Sequence, residues 1–332
     1  MEDYFVIDAH CDLLYQLEQC GAGSLWVRPQ GQVDIKRWQT GKVAAQFLAL
    51  YGGEPNRLLL AQASALKQIK ILYRQIKINP ELVLARGQED IVAARAQGKI
   101  AVVLSLEGGE ALGDDPGLLE VFYQLGVRAI GLTWNERNLL ASGIADNDSG
   151  SGLTALGCQA VKIAQELGML LDVSHLSTKS FWDLLHLARG PVIASHSSAF
   201  ALCPHPRNLT DEQARALAQT GGVIGVNFHT PFLCRAERAQ LEDVVDHIDY
   251  LVQLVGPEHV GLGSDFDGIP VPPQGLEGPH HFPALARALK KRGYGQKEIK
   301  AIMGLNFFRV IPQLKGDGSV QHFKKMGRGN PA

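Results

Sequence analysis

Cysteine is scarce and scattered in this 332-residue chain: Cys11, Cys20, Cys158, Cys203 and Cys234, five in all, with no CxxC pair. That argues against a disulfide framework and a thiolate zinc ribbon, and predicts reduced thiols in a cytoplasmic protein. Excess charge is missing too: 32 basic against 34 acidic residues leave −2, which removes any overall drive toward nucleic acid or an acidic membrane. No uninterrupted apolar stretch reaches the ~18 residues that would span a bilayer. The opening MEDYFVIDAH is acidic where a secretory leader would be basic and then apolar, so no signal peptide is expected. The far end lacks the apolar tail of a lipid-anchor signal. Gly-rich runs do not form GxGxxG or a P-loop between a strand and a helix, so nucleotide binding has no support.

Apolar residues make up 45% of the chain and charged residues 20%, enough for a full core. Eight short apolar runs read as strands buried on both faces: Tyr4–His10, Val43–Leu50, Ile100–Leu106, Val127–Leu132, Met169–Val173, Val192–Ser195, Val223–Asn227 and Val260–Ser264. Helical periodicity fills the gaps. It is clearest in Leu241, Val244, Val245, Ile248, Leu251, Val252 and Val255, and looser in Leu66, Ile69, Leu72, Ile76 and in Leu153, Leu156, Ile163, Leu167. Asp115-Pro116 reads as an N-cap with proline at the first helical position, and Thr210 with Gln213 as a capping box. Alternation of this kind predicts an α/β fold, a (β/α)₈ barrel, over residues 1–312; an open doubly wound sheet satisfies the same count. Ile269–Pro283 reads as a long loop, and residues 313–332 as a loose polar tail.

Polar residues cluster where those strands end. The first run closes on His10 and Asp12, the third on Glu107, the fifth on His175, the sixth on His196 and the eighth on Asp265 and Asp267. In an extended segment residues two apart share a face, so His10 and Asp12 can reach one ion while Cys11 points away to pack. In a parallel barrel the strand C-termini meet at one rim, which carries the active site. Three imidazoles with carboxylates suit Zn²⁺ or a similar divalent ion, and five ligands are enough for a pair of ions sharing a carboxylate. The remaining polar residues read more plainly. Asp267 can face the same site but suits a turn with Gly268 slightly better, and Glu110 suits the site and a loop hydrogen bond equally. Adjacent His280 and His281 point apart, and His186 and His247 fall in helices. Arg137 and Asn138, in the loop after the fourth strand, are candidates to shape the pocket.

With those residues in view, the chain resembles the renal (membrane) dipeptidase family, peptidase family M19, from about Phe5 to Val310. The likeness is carried by DAHCD (Asp8–Asp12), LEGGE (Leu106–Glu110), DVSH (Asp172–His175), SHSSA (Ser195–Ala199), PRN (Pro206–Asn208), GVNF (Gly225–Phe228), SDFDG (Ser264–Gly268) and GLNFFRV (Gly304–Val310). The resemblance implies an amidohydrolase-type barrel with two Zn²⁺: His10 and Asp12 on one ion, His175 and His196 on the other, and Glu107 bridging. It implies hydrolysis of free dipeptides, including those with a C-terminal D-residue, by a metal-bridging hydroxide. Asp265 stands where the family has its proton-transfer acid, and Arg207 where it binds the C-terminal carboxylate. Two positions depart from the pattern of some members. Trp134 replaces a histidine at the level of the reacting carbonyl, and His229 replaces a tyrosine in the pocket. The expected partner is a small dipeptide, with a homodimer compatible with the likeness. The same residues also serve a related amidohydrolase acting on an N-acyl amino acid or a lactam. A silent barrel would not need them all.

Overall fold

The structure, a computed structural model, describes residues 4–21, 23–52 and 58–312. The expected tail therefore lies outside the described residues. Nine parallel strands are present: β1 Val6–Asp8, β2 Val43–Tyr51, β3 Leu82–Leu84, β4 Ile100–Glu107, β5 Val127–Gly131, β6 Leu170–Asp172, β7 Val192–Ala194, β8 Val223–Val226 and β9 Val260–Leu262. Their order is β2-β1-β9-β8-β7-β6-β5-β4-β3, and β2 also pairs with β4. That extra pairing closes eight strands into a ring, so the sheet is a barrel and not an open doubly wound sheet. β3 stands outside the ring. It lies beside Ile100–Val102 on the edge of β4 that β5 takes over from Leu104. The eight apolar runs did not include it; only Leu82 of its three residues is fully buried, so it lacks the two-faced burial of the ring strands.

Strand parity separates two apolar layers. Ala101 and Val103 of β4 pack with Ala45 and Phe47 of β2, Ala129 of β5, Ile193 of β7 and Phe307, forming the barrel interior. Val102, Leu104 and Leu106 pack outward with the helices. Phe307, in the helix Asn306–Val310, closes the bottom; a Cβ on Gly261 would lie 2.5 Å from its ring. Small interior residues let the backbones approach, and a Cβ on Gly225 would stand 2.1 Å from the Ser195 carbonyl oxygen.

The helix Leu241–Val255 buries Leu241, Val244, Val245, Ile248 and Leu251 of the expected stripe, together with His247, and leaves Val252 and Val255 half-buried. The His247 ring links two loops: Nδ1 accepts from Ala199 N (3.0 Å) and Nε2 contacts the Leu233 carbonyl (2.9 Å). Thr210 and Gln213 form the expected capping box. Elsewhere the helical reading needs correction. In Leu58–Ile78 the buried face runs through Ala61, Ala65, Gln68, Ile69, Leu72 and Gln75, while Leu66 is exposed. In Ala155–Leu167 the buried face is small, Gly157, Ala160, Val161 and Ala164, and the leucines lie at its edges. Close packing on the sheet selects small residues there, against the rule that the largest apolar residues mark the inner face. Asp115 does not cap a helix directly. Its carboxylate accepts from Gly117 N (2.9 Å) in a tight turn, and the helix Leu118–Gln124 starts one residue later. The stretch expected as a loop to Pro283 already holds a 3₁₀ turn, Pro279–His281, and the start of the helix Phe282–Arg292.

Candidate metal centre and active site

Glu107 is the last residue of β4, on the parity of Ala101 and Val103, so its side chain follows the inner face to the rim. Its Oε1 lies 3.4 Å from His10 Nε2, 3.1 Å from His175 Nε2 and 3.6 Å from His196 Nε2. His10 and Asp12 follow the end of β1. The chain stays extended through Cys11, which bridges to Phe266, then turns at Asp12 into the helix Leu13–Cys20. His10 Nε2 therefore reaches Asp12 Oδ2 (3.4 Å) and Asp265 Oδ1 (3.9 Å), while Cys11 is buried in the core. His175 and Asp265 sit on left-handed turns just past β6 and β9, at φ 70° and 64°. Such conformations cost energy in non-glycine residues and persist where surrounding contacts impose them, typically at functional sites.

The tautomers of two imidazoles follow from their partners. Ser195 Oγ donates to the Asp172 carboxylate, so it accepts from His196 Nδ1 at 2.7 Å. The side-chain oxygen of Asn135 is 2.7 Å from His175 Nδ1 and can only accept. Both histidines thus carry their proton on Nδ1 and present a bare Nε2 lone pair. Those two nitrogens stand 2.8 Å apart, and His10 Nε2, also buried, has no hydrogen-bond partner. Lone pairs facing one another at this distance repel unless a cation lies among them. His10, Glu107 and His196, and likewise His10, Asp12 and Asp265, offer donor atoms close enough to share an ion. The donor set of imidazoles and carboxylates, with His175 and His196 oriented through their other nitrogen, fits a divalent transition metal.

The local field agrees with this arrangement. Burial drives His175 and His196 well below the ordinary imidazole range, and the His10 and Arg207 charges add to the effect. Burial alone would lower His10, but Glu107, with Asp12 and Asp265, lifts it to about 10. Burial raises Glu107 well above the usual carboxylate range, and raises Asp265 to about 7 against the pull of His10. Asp265 Oδ2 accepts from Asn227 Nδ2 at 2.9 Å, leaving Oδ1 toward the cluster.

Above the cluster opens a cavity of about 690 Å³, lined among others by Tyr51, Glu107, Trp134, Arg207, His229, Phe232 and Asp265. Arg207, 6% exposed, donates through Nη2 to the His196 carbonyl (3.2 Å), while its Nε has no partner. Burial lowers it to about 10, so it stays cationic at neutral pH. Trp134 stands between Tyr51 (ring centroids 5.2 Å) and His175 (6.0 Å). His229 packs edge-on against Phe232 and keeps an unpartnered Nδ1.

All nine residues singled out from the sequence, His10, Asp12, Glu107, Trp134, His175, His196, Arg207, His229 and Asp265, meet at this rim and its cavity. His280 and His281 do not. Their rings, expected to point apart, stack with centroids 3.9 Å apart because the 3₁₀ turn Pro279–His281 brings them together, and His281 pairs with Glu277 (3.1 Å). Glu110 accepts from Asn138 (2.9 Å), the loop role of the two readings open to it. Sequence reasoning missed Asn227, Asn135 and the Asp172–Ser195 pair. Each lies inside or beside a recognised motif, yet an amide or hydroxyl there gives no signal of its own.

The chain matches the profile of "Membrane dipeptidase (Peptidase family M19)" over residues 1–321. An uncharacterized protein in the pqqA 5′ region of Klebsiella pneumoniae is 40% identical over 260 residues, covering 73% of this chain and 96% of that one. An uncharacterized dipeptidase of Schizosaccharomyces pombe is 34% identical over 329 residues, covering 92% and 79%. Among solved structures, a metallopeptidase from Rhodobacter sphaeroides, liganded with a phosphinate mimic of L-Ala-D-Ala, superposes with a TM-score of 0.87 at 29% identity, covering 93% of this chain and 99% of that one.

Proposed function

The chain belongs to the membrane dipeptidase family, peptidase family M19, and is a hydrolase of the dipeptidase type; from that premise we propose that it is a zinc enzyme that cleaves free dipeptides at a two-ion centre. The observation that carries the metal reading is the 2.8 Å approach of the His175 and His196 Nε2 atoms beside Glu107. His10 and Asp12 would hold one Zn²⁺, His175 and His196 the other, with Glu107 shared. Ions held there would supply Lewis-acid polarisation of a carbonyl and a hydroxide nucleophile at neutral pH.

The protein's own residues do the rest. Arg207 faces the cavity from a buried position, where its planar fork takes both oxygens of a terminal carboxylate. Anchoring the chain end so close to the centre restricts cleavage to very short peptides. Asp265, raised to about 7 by burial, suits a group that accepts a proton on Oδ1 and returns it to the leaving amine. Asn227 fixes the other oxygen, so the carboxylate does not rotate between the two transfers. Trp134 and Tyr51 form an apolar wall beside the reacting bond, and His229 and Phe232 line the wall near Arg207. The reading extends to dipeptides with a C-terminal D-residue, which the ligand of the R. sphaeroides enzyme mimics.

Metal content of the purified protein together with L-L and L-D dipeptide hydrolysis tests the proposal. Zinc near two equivalents with chelator-sensitive cleavage is expected. Two bound ions with no dipeptide cleavage, and turnover of N-acyl amino acids instead, would overturn it.

A further inference from the structure

Behind Arg207 lies a second, smaller cavity of about 190 Å³. It shares Ile144, His175, Pro206 and Arg207 with the larger one, so the guanidinium stands in the partition between them. Among the described residues no Asp, Glu or Lys lines it. Ser197, 1% exposed, lines it with a hydroxyl that has no hydrogen-bond partner, and the Arg207 Nε is unpartnered as well. Two helices begin at its edge, Thr178–Leu187 and Asp211–Gln219, and Thr178 and Thr210 face it from those ends. Their first amides are partly taken: Thr178 N donates to Asn147 Oδ1 (2.7 Å) and Gln213 N to Thr210 Oγ1 (3.3 Å). What the helices add is the positive field of their N-termini.

A buried cation, an idle hydroxyl, two positive helix ends and no acidic residue in the lining make a site for an anion. Its place next to Arg207 says whose anion. Resting on the dipeptidase reading, in which Arg207 holds the main-chain carboxylate, we infer that the cavity receives the side chain of the substrate's C-terminal residue and selects a carboxylate there, as in aspartate or glutamate. An acidic side chain that passes the shared wall meets the Arg207 Nε–H and the Ser197 hydroxyl. An apolar side chain leaves the Arg207 Nε–H and Ser197 Oγ unpaired, and an amide offers one acceptor oxygen but no charge to meet the guanidinium and brings NH₂ donors that the carboxylate lacks.

The test compares L-alanyl-glutamate, L-alanyl-glutamine and L-alanyl-alanine, with both configurations at the second residue, on the metal-loaded full chain. The glutamate peptide should exceed its glutamine isostere by about tenfold or more in kcat/KM, mostly through KM. Ser197→Ala should shrink that ratio. Equal rates for the isosteres, or a preference for glutamine, overturn the inference while leaving the dipeptidase reading standing. If no dipeptide is cleaved, that reading fails, and calorimetric binding of free glutamate against glutamine decides the cavity: a glutamate preference lost in Ser197→Ala supports it, and no preference refutes it.

Discussion

Arg28 and Asp267, 239 residues apart in sequence, form a buried ion pair beside the metal-type cluster. The Asp267 carboxylate also accepts from Gln32 N (2.7 Å), and Asp267 N donates back to Gln32 Oε1 (2.9 Å). Asp265 and Asp267 both have φ of 64°, and a Cβ on the neighbouring Gly268 would fall 2.1 Å from Asp12 Oδ2 and 2.5 Å from Asp265 Oδ1. The turn carrying Asp265 is thus strained, tightly fitted and held from the 28–32 segment. Arg28→Met should cost about 3 kcal/mol of stability, because it strands a buried carboxylate, and should lower kcat more than it raises KM. Arg28→Lys should recover part of both. Thermal unfolding and steady-state kinetics check this; an Arg28→Met protein with unaltered Tm and kcat contradicts it.

Asp265→Asn keeps the shape and the Asn227 neighbour but loses the proton carrier. The expected fall in kcat is on the order of 10²–10⁴-fold, with metal content unchanged. Metal analysis beside kinetics separates the two effects. Full metal with wild-type kcat removes Asp265 from proton transfer.

Arg207→Ala should lower kcat/KM for free dipeptides by about 10²-fold, chiefly through KM, the usual scale for losing one partner of a buried charge pair. Arg207→Lys should restore only part, since an ammonium cannot form the two parallel bonds of the fork. A C-amidated dipeptide should be poor with wild type and scarcely poorer with Arg207→Ala. An equal loss on both substrates would mean that Arg207 supports the loop and does not read the carboxylate.

Removal of metal should expose the electrostatics of the cluster. In the metal-free protein the folded state holds the His10 proton up to about pH 10, against an ordinary value of 6.5. The unfolded chain loses that proton first, so stability falls as pH rises from about 7 to 10. Asp265, lifted from 3.8 to about 7, acts in the same direction at lower pH. His175 and His196, pushed down, oppose it only below about 6.5, where the unfolded imidazoles take up protons. Metal binding displaces protons from its ligands and grows stronger with pH. The gap in Tm between loaded and chelated protein should therefore widen from pH 7 to 9. A constant gap would contradict the role of His10 in the cluster.

The barrel was legible because continuous burial on both faces leaves an apolar run that needs no alternation, and eight such runs coincide with the eight strands of the ring. The rim was legible because charged and imidazole side chains kept ending those runs. Strand alternation explains Glu107 directly. It does not explain His175 or Asp265, whose left-handed turns lie beyond the strand ends and depend on distant contacts. Nor did periodicity find the inner faces of the helices built from Ala and Gly, or the hold of Arg28 on Asp267, which joins segments that are neighbours only after the barrel closes.

The most direct measurement is hydrolysis of free dipeptides against their C-amidated counterparts, before and after chelation and zinc reconstitution. Cleavage of the free peptides alone, lost on chelation and restored by zinc, is the predicted result. Equal cleavage of both forms, or turnover indifferent to chelation in protein proven free of metal, would contradict a metal centre that works beside an Arg207 carboxylate clamp.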